Sequence, residues 1–172
     1  MATPTAGTGA AAVQVKRTFS APREKVFQAW LDPKLMPRWF GRGIKGMPLT
    51  RILELDARTG GHYKVEVSCP PEVRPAEQER ERSASAPDYR IYRMQGTYRE
   101  VRPPERLVFT WWWEGADFRD SVVTVEFRTL GQSNFTEVTL THELLPEKER
   151  EDHRQGWEGC FDRLQETLQE GA

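Results

Sequence analysis

The second half of the chain repeats one pattern and then breaks it. Three stretches, Leu107–Trp113, Ser121–Thr129 and Phe135–Leu144, alternate large apolar residues with polar ones, and a single long helical stripe follows. Successive strand side chains point to opposite faces, so Leu107, Phe109, Trp111 and Trp113 share one face, while Val108, Thr110 and Trp112 take the other. Turn residues around Gly115 and at Gly131-Gln132 keep the connections short, which predicts an antiparallel meander. After Pro146, the residues His153, Trp157, Cys160, Phe161, Leu164 and Leu168 make one apolar stripe along roughly five helical turns. Glu147, Glu149 and Glu151 suit the positive end of that helix. A sheet with one polar face needs cover on the other. This helix is the only element of the right length, so the sheet must curl around it.

The rest of the chain extends the plan. Val13–Phe19 alternates and reads as a strand. Ser20-Ala21-Pro22 starts a helix that carries Val26, Phe27, Trp30 and Leu31 on one side, since proline is harmless in a first turn. Asp32-Pro33 breaks it, and a short helix over 33–40 follows, with Leu35, Met36, Trp39 and Phe40. Leu49–Ala57 and His62–Ser68 read as strands joined by a hairpin turn at Arg58-Thr59-Gly60-Gly61, where glycine supplies the positive φ. Strands resume at Tyr89–Val101, with Tyr92, Met94 and Tyr98 on one face and Gly96 leaving space between them; Tyr63, Val65 and Val67 offer a third row. The order is one strand, two short helices, six strands and one long helix: an α+β chain with a curved antiparallel sheet wrapped around its C-terminal helix. We expect a disordered tail over 1–12, one domain over 13–170, and a mobile insertion at about 70–88, where four prolines and the run Glu77-Gln78-Glu79-Arg80-Glu81-Arg82 carry no apolar period.

Composition narrows the function classes. The 172 residues suit one domain with a sizeable core, and six Trp and eight Phe are available to fill it. A net charge of −1 without a basic cluster gives no reason to expect nucleic acid or an anionic membrane surface as a partner. No apolar run approaches membrane-spanning length, so membrane insertion is not expected. Met1–Ala12 lacks the basic start and Leu-rich core of a signal peptide. Cys69 and Cys160 do not make a disulfide framework in a chain of this size, and both read as reduced thiols of a cytoplasmic protein.

Familiar motifs fail on context. Gly41-Arg42-Gly43-Ile44-Lys45-Gly46 has the spacing of a dinucleotide loop, but it follows a helix and precedes Met47-Pro48 instead of joining a strand to a helix. It reads as a flexible loop at the mouth of the interior. His142-Glu143 lacks the second histidine of a zinc helix, and Pro146 stands where it would be. His62, His142 and His153 lie on different elements, so no metal site is expected, and no cofactor. His142 shares the face of Val138 and Leu140 and should meet the helix stripe at His153, as a buried pair, a satisfied core histidine or a polar anchor for a ligand. No nucleophile–base pair is visible, and Asp56, Glu66, Glu126, Glu137 and Glu143 should face water.

The sequence resembles the helix-grip superfamily of ligand-binding domains, the START-like or Bet v 1-like fold (also called SRPBCC). Within it the chain is most similar to the subfamily named for the activator of Hsp90 ATPase, in its stand-alone bacterial form. The resemblance rests on Arg17 to Phe27, Trp30-Leu31-Asp32-Pro33 with Trp39-Phe40, Arg58 to Tyr63, Gly96 to Val101 leading into Pro103 to Trp111, Thr136 to Glu143, and His153 to Trp157. It implies a cavity between sheet and C-terminal helix that holds an apolar or lipid-like small molecule. Given that fold, we expect Trp39, Phe40, Met47, Tyr63, Tyr92, Met94, Trp111, Trp113, His142, Trp157 and Phe161 to form the walls. Tyr and Trp suit such walls because they pair an apolar body with a polar edge. The expected function is non-catalytic binding. A cyclase or hydrolase using the same cavity is the alternative, with His142 and a tyrosine as its polar pair. A stress-related chaperone partner is a third reading. It is not favoured, because only about a dozen residues precede the first strand, where the eukaryotic activators carry a further domain. A homodimer is compatible with all of these.

Overall fold

The computed structural model describes residues 12–41, 49–69 and 90–170. The elements are β1 (Val13–Phe19), α1 (Arg23–Ala29), α2 (Met36–Trp39), β2 (Leu49–Leu55), β3 (His62–Cys69), β4 (Arg90–Arg102), β5 (Arg106–Trp113), β6 (Ser121–Thr129), β7 (Thr136–Glu143) and α3 (Glu147–Glu170). The strands form one antiparallel sheet in the order β1-β7-β6-β5-β4-β3-β2. Strands β2 to β7 are therefore a meander, and β1 joins its far edge against β7, with Val13 opposite His142 and Phe19 opposite Thr136. This is the α+β helix-grip plan: a curved sheet with a long C-terminal helix on its inner side.

The inner side is built from the residues that the alternation placed there. Val123, Val125, Val138, Leu140, Leu107 and Phe109 are buried on the sheet, and Trp157, Cys160, Phe161, Leu164 and Leu168 are buried on α3. The helix is fastened outside the core as well. Arg17 of β1 pairs with Glu158 at 2.9 Å and Asp162 at 2.6 Å, and Arg38 of α2 pairs with Glu170.

Several boundaries differ from expectation for local reasons. The second helix begins at Met36, not Pro33, because the Asp32 side chain accepts the Lys34 amide at 2.8 Å and holds 32–35 as a turn. β7 stops at Glu143 because Leu144 has φ 66°, outside strand geometry. Glu66, expected to face water, is 7% exposed: it lies on the outer face between Arg51 at 3.2 Å and Arg93 at 3.1 Å, whose side chains cover it. The expected tail over 1–12 falls outside the described residues except for Ala12. The expected insertion at about 70–88 and the glycine loop beyond Gly41, Met47 included, also fall outside them.

One irregularity shapes the middle of the sheet. A Cβ on Gly96 would stand 1.9 Å from the Thr110 carbonyl oxygen and 2.7 Å from the Tyr63 hydroxyl, so only glycine fits. Through that gap the Tyr63 hydroxyl donates to the Thr110 carbonyl at 2.6 Å, while the Thr97 amide donates to the Thr110 hydroxyl at 2.8 Å. A side chain of β3 thus takes a ladder position between β4 and β5. The space beside Gly96 is real, and a tyrosine hydroxyl occupies it.

Candidate functional site

Two neighbouring regions of the interior hold the chemistry. The first is a cavity of about 10 Å³ where α1 and α2 meet the sheet, lined by Trp30, Met36, Phe40, Tyr63, Tyr98, Leu107 and Phe109. Trp30 ends α1 and is only 2% exposed. Its ring lies 4.7 Å from that of Trp39 and stacks on Trp157 at 6.1 Å. The Trp30 indole nitrogen is buried and has no hydrogen-bond partner. Trp39, at the end of the next helix, differs: its indole donates to the Ala29 carbonyl at 3.0 Å. Burial raises both tyrosine hydroxyls, Tyr63 and Tyr98, above the usual phenol range, so both are neutral donors.

The second region lies around His142, which is fully buried. The Trp157 indole donates to its Nδ1 at 3.1 Å. That nitrogen therefore carries no proton, and the neutral ring holds its proton on Nε2. Nε2 lies 2.9 Å from the Ser121 hydroxyl, which itself donates to the Trp111 carbonyl at 2.9 Å. One directed chain results: Trp157 to His142 to Ser121 to Trp111. Burial, and next the neighbouring His153, pushes His142 well below the usual imidazole range. His153 is set in the same manner. Its Nδ1 donates to the Glu149 carbonyl at 2.8 Å, and its Nε2 accepts from the Trp113 indole at 3.2 Å. The two imidazoles stand nearly perpendicular, 5.3 Å apart.

The expected wall residues divide between these regions. Phe40 and Tyr63 line the cavity. Trp111, Trp113, His142 and Trp157 belong to the histidine cluster, while Trp39, Met94 and Phe161 are buried in the core. Tyr92 packs against Trp113 at 6.2 Å, half-buried. Met47 lies outside the described residues. Sequence reasoning missed Trp30, Met36, Tyr98, Leu107 and Phe109 as cavity walls, although each stood on an inward face. It also missed Ser121, the residue that pairs with His142 in place of the expected tyrosine. A lone serine opening a strand carries no periodic signal.

Neither region is built for ordinary nucleophilic catalysis. A serine nucleophile must give its proton to the imidazole. Here the imidazole gives its proton to the serine, and the Trp157 indole holds it in that tautomer. Among the described residues, no group of three or more His, Cys, Asp or Glu side chains is placed to hold a metal ion. No helix among them is long and apolar enough to cross a membrane.

The model of the family described as activator of Hsp90 ATPase homolog 1-like protein matches residues 20–169. The chain belongs to this family. Members of the family bind small hydrophobic ligands in a cavity of this fold. Among solved structures, a family member from Silicibacter pomeroyi is 22% identical and covers 94% of this chain and 100% of its own, with a TM-score of 0.68. A protein from Chromobacterium violaceum is 25% identical, with coverage of 92% and 97% and a TM-score of 0.72. One from Mycobacterium smegmatis shares 14% identity at 96% and 95% coverage and a TM-score of 0.73. Identities this low speak for the shared fold. No curated protein matches the chain.

Proposed function

We propose that this chain binds a small apolar or amphipathic molecule between the sheet and the helices, and does not transform it. The observation that carries the reading is the cavity where α1 and α2 meet β3, β4 and β5, walled by aromatic and aliphatic side chains. Its volume of about 10 Å³ is near that of one water-sized sphere. Pockets for drug-sized ligands measure roughly 300–1,000 Å³. The reading therefore includes an opening step. The wall best suited to give way is α2, which has four residues and contributes Met36, a flexible side chain. Solvent extraction and native mass spectrometry of the purified protein should reveal a bound apolar compound, or a fluorescent apolar probe should bind and be displaceable. Failure of both, with the core seen to be rigid by amide exchange, would sink the reading.

An enzyme of cyclase or hydrolase type in the same interior is the second reading. The contact of 2.9 Å between Ser121 and His142 favours it. The direction of the proton and the complete burial of both residues oppose it. Once a compound is found, its turnover by wild type and its loss in His142→Ala would establish the enzyme. An unchanged compound recovered after incubation supports the binder.

A further inference from the structure

We infer that the ligand of this cavity carries a neutral hydrogen-bond acceptor, such as a ketone, ester or ether oxygen, and that the Trp30 indole N–H donates to it. The inference rests on the binding function proposed above and specifies its chemistry.

The lining supplies few polar atoms. Tyr63 gives its hydroxyl proton to the Thr110 carbonyl, and the hydroxyl of Tyr98, the other tyrosine of the lining, is not among the fully buried polar atoms without a partner. The Trp30 N–H has no partner although its residue is 2% exposed. Buried donors without partners are rare and costly, so such a group is a functional candidate. The neighbouring indoles show that the fold can pair such groups: Trp39, Trp113 and Trp157 all donate within the protein. Trp111 and Trp112 are unpartnered too, but neither lines the cavity. Among the described residues, Trp30 is the cavity wall that also carries a fully buried donor without a partner.

Charge decides the class of acceptor. No Asp, Glu, Lys, Arg or His stands among the lining residues. A carboxylate there would be a buried ion without a counter-ion, which is strongly disfavoured. A pure hydrocarbon would fill the volume and leave Trp30 unsatisfied. A neutral oxygen on an apolar body meets both conditions.

The test uses the full chain and three probes of similar size: acetophenone, α-methylstyrene (in which the carbonyl oxygen becomes a methylene) and benzoate. Binding is followed by titration of the indole ¹⁵N–¹H resonances. Acetophenone should bind at least roughly fivefold tighter than α-methylstyrene, shift the Trp30 indole proton downfield, and bind far better than benzoate. In Trp30→Phe the preference for the ketone should vanish while α-methylstyrene still binds. The resonance shift needs no variant, so it stands even if Trp30→Phe folds poorly. Equal binding of ketone and alkene to wild type overturns the inference but leaves the binding function intact. So does a ketone preference that survives in the variant, or tighter binding of benzoate. If neither neutral probe binds at its solubility limit, the binding function itself falls.

Discussion

The two halves of this interior look alike in composition and differ in how their polar atoms are used. Around His142, most of the inward-facing indoles and imidazoles find a partner: Trp157, Trp113, His142 and His153 are hydrogen-bonded, and the Trp111 indole nitrogen is the exception. Around Trp30 the packing is just as aromatic, yet a buried donor stands unpaired beside a void. A closed polar chain specifies one arrangement of its members, because moving one leaves the next unsatisfied. An unpaired donor beside space imposes no such arrangement. The histidine end is thus the scaffold of the interior, and the Trp30 end is where an occupant gains most.

That contrast can be broken by measurement. Trp157→Ala should cost about 3–5 kcal/mol in denaturant unfolding, because it opens a cavity and also strips His142 of its donor. A loss below about 1 kcal/mol would mean that Trp157 borders a void like the one at Trp30. The next effect is on pH. His142 is held neutral when folded, so its folded pKa lies below its unfolded value. The unfolded chain then binds the extra proton, and stability is full above about pH 6.5 and falls as the pH drops below it. The loss should approach about 1.4 kcal/mol per pH unit, and His142→Gln should flatten the part of the slope between pH 6.5 and 5.5. An unchanged slope would show that His142 protonates freely. The smallest effect compares like with like. Trp157→Phe and Trp30→Phe both trim an indole, but only the first breaks a hydrogen bond, so it should be the more damaging by about 1 kcal/mol. Equal losses would remove the distinction between the two regions.

Much of this was legible before the structure. The period-two rows of β5, β6 and β7 and the stripe on α3 determine the layers, because a misplaced register would turn every apolar side chain to water. His142 could be placed opposite His153 from the strand face alone. What could not be read was pairing in three dimensions. Ser121 opens its strand and gives no sign that it will meet His142, twenty-one positions away. Nor does sequence distinguish Trp30 from Trp39. Both sit on short helices, yet only Trp39 reaches a free carbonyl, that of Ala29 at the end of α1. Cavity volume was equally hidden, since it depends on how rings tilt against each other and not on which face they occupy.

Tyr63 connects the inside of the molecule to its outside. Its ring is a wall of the cavity, and its hydroxyl holds the Thr110 carbonyl at the seam between β4 and β5. Anything that presses on the ring from within therefore pulls on backbone whose other neighbour, Thr97, is exposed to solvent. An occupant should announce itself on the far side of the sheet, as a changed exchange rate at the Thr97 amide. The outer face at Thr97 is then where a filled cavity would register.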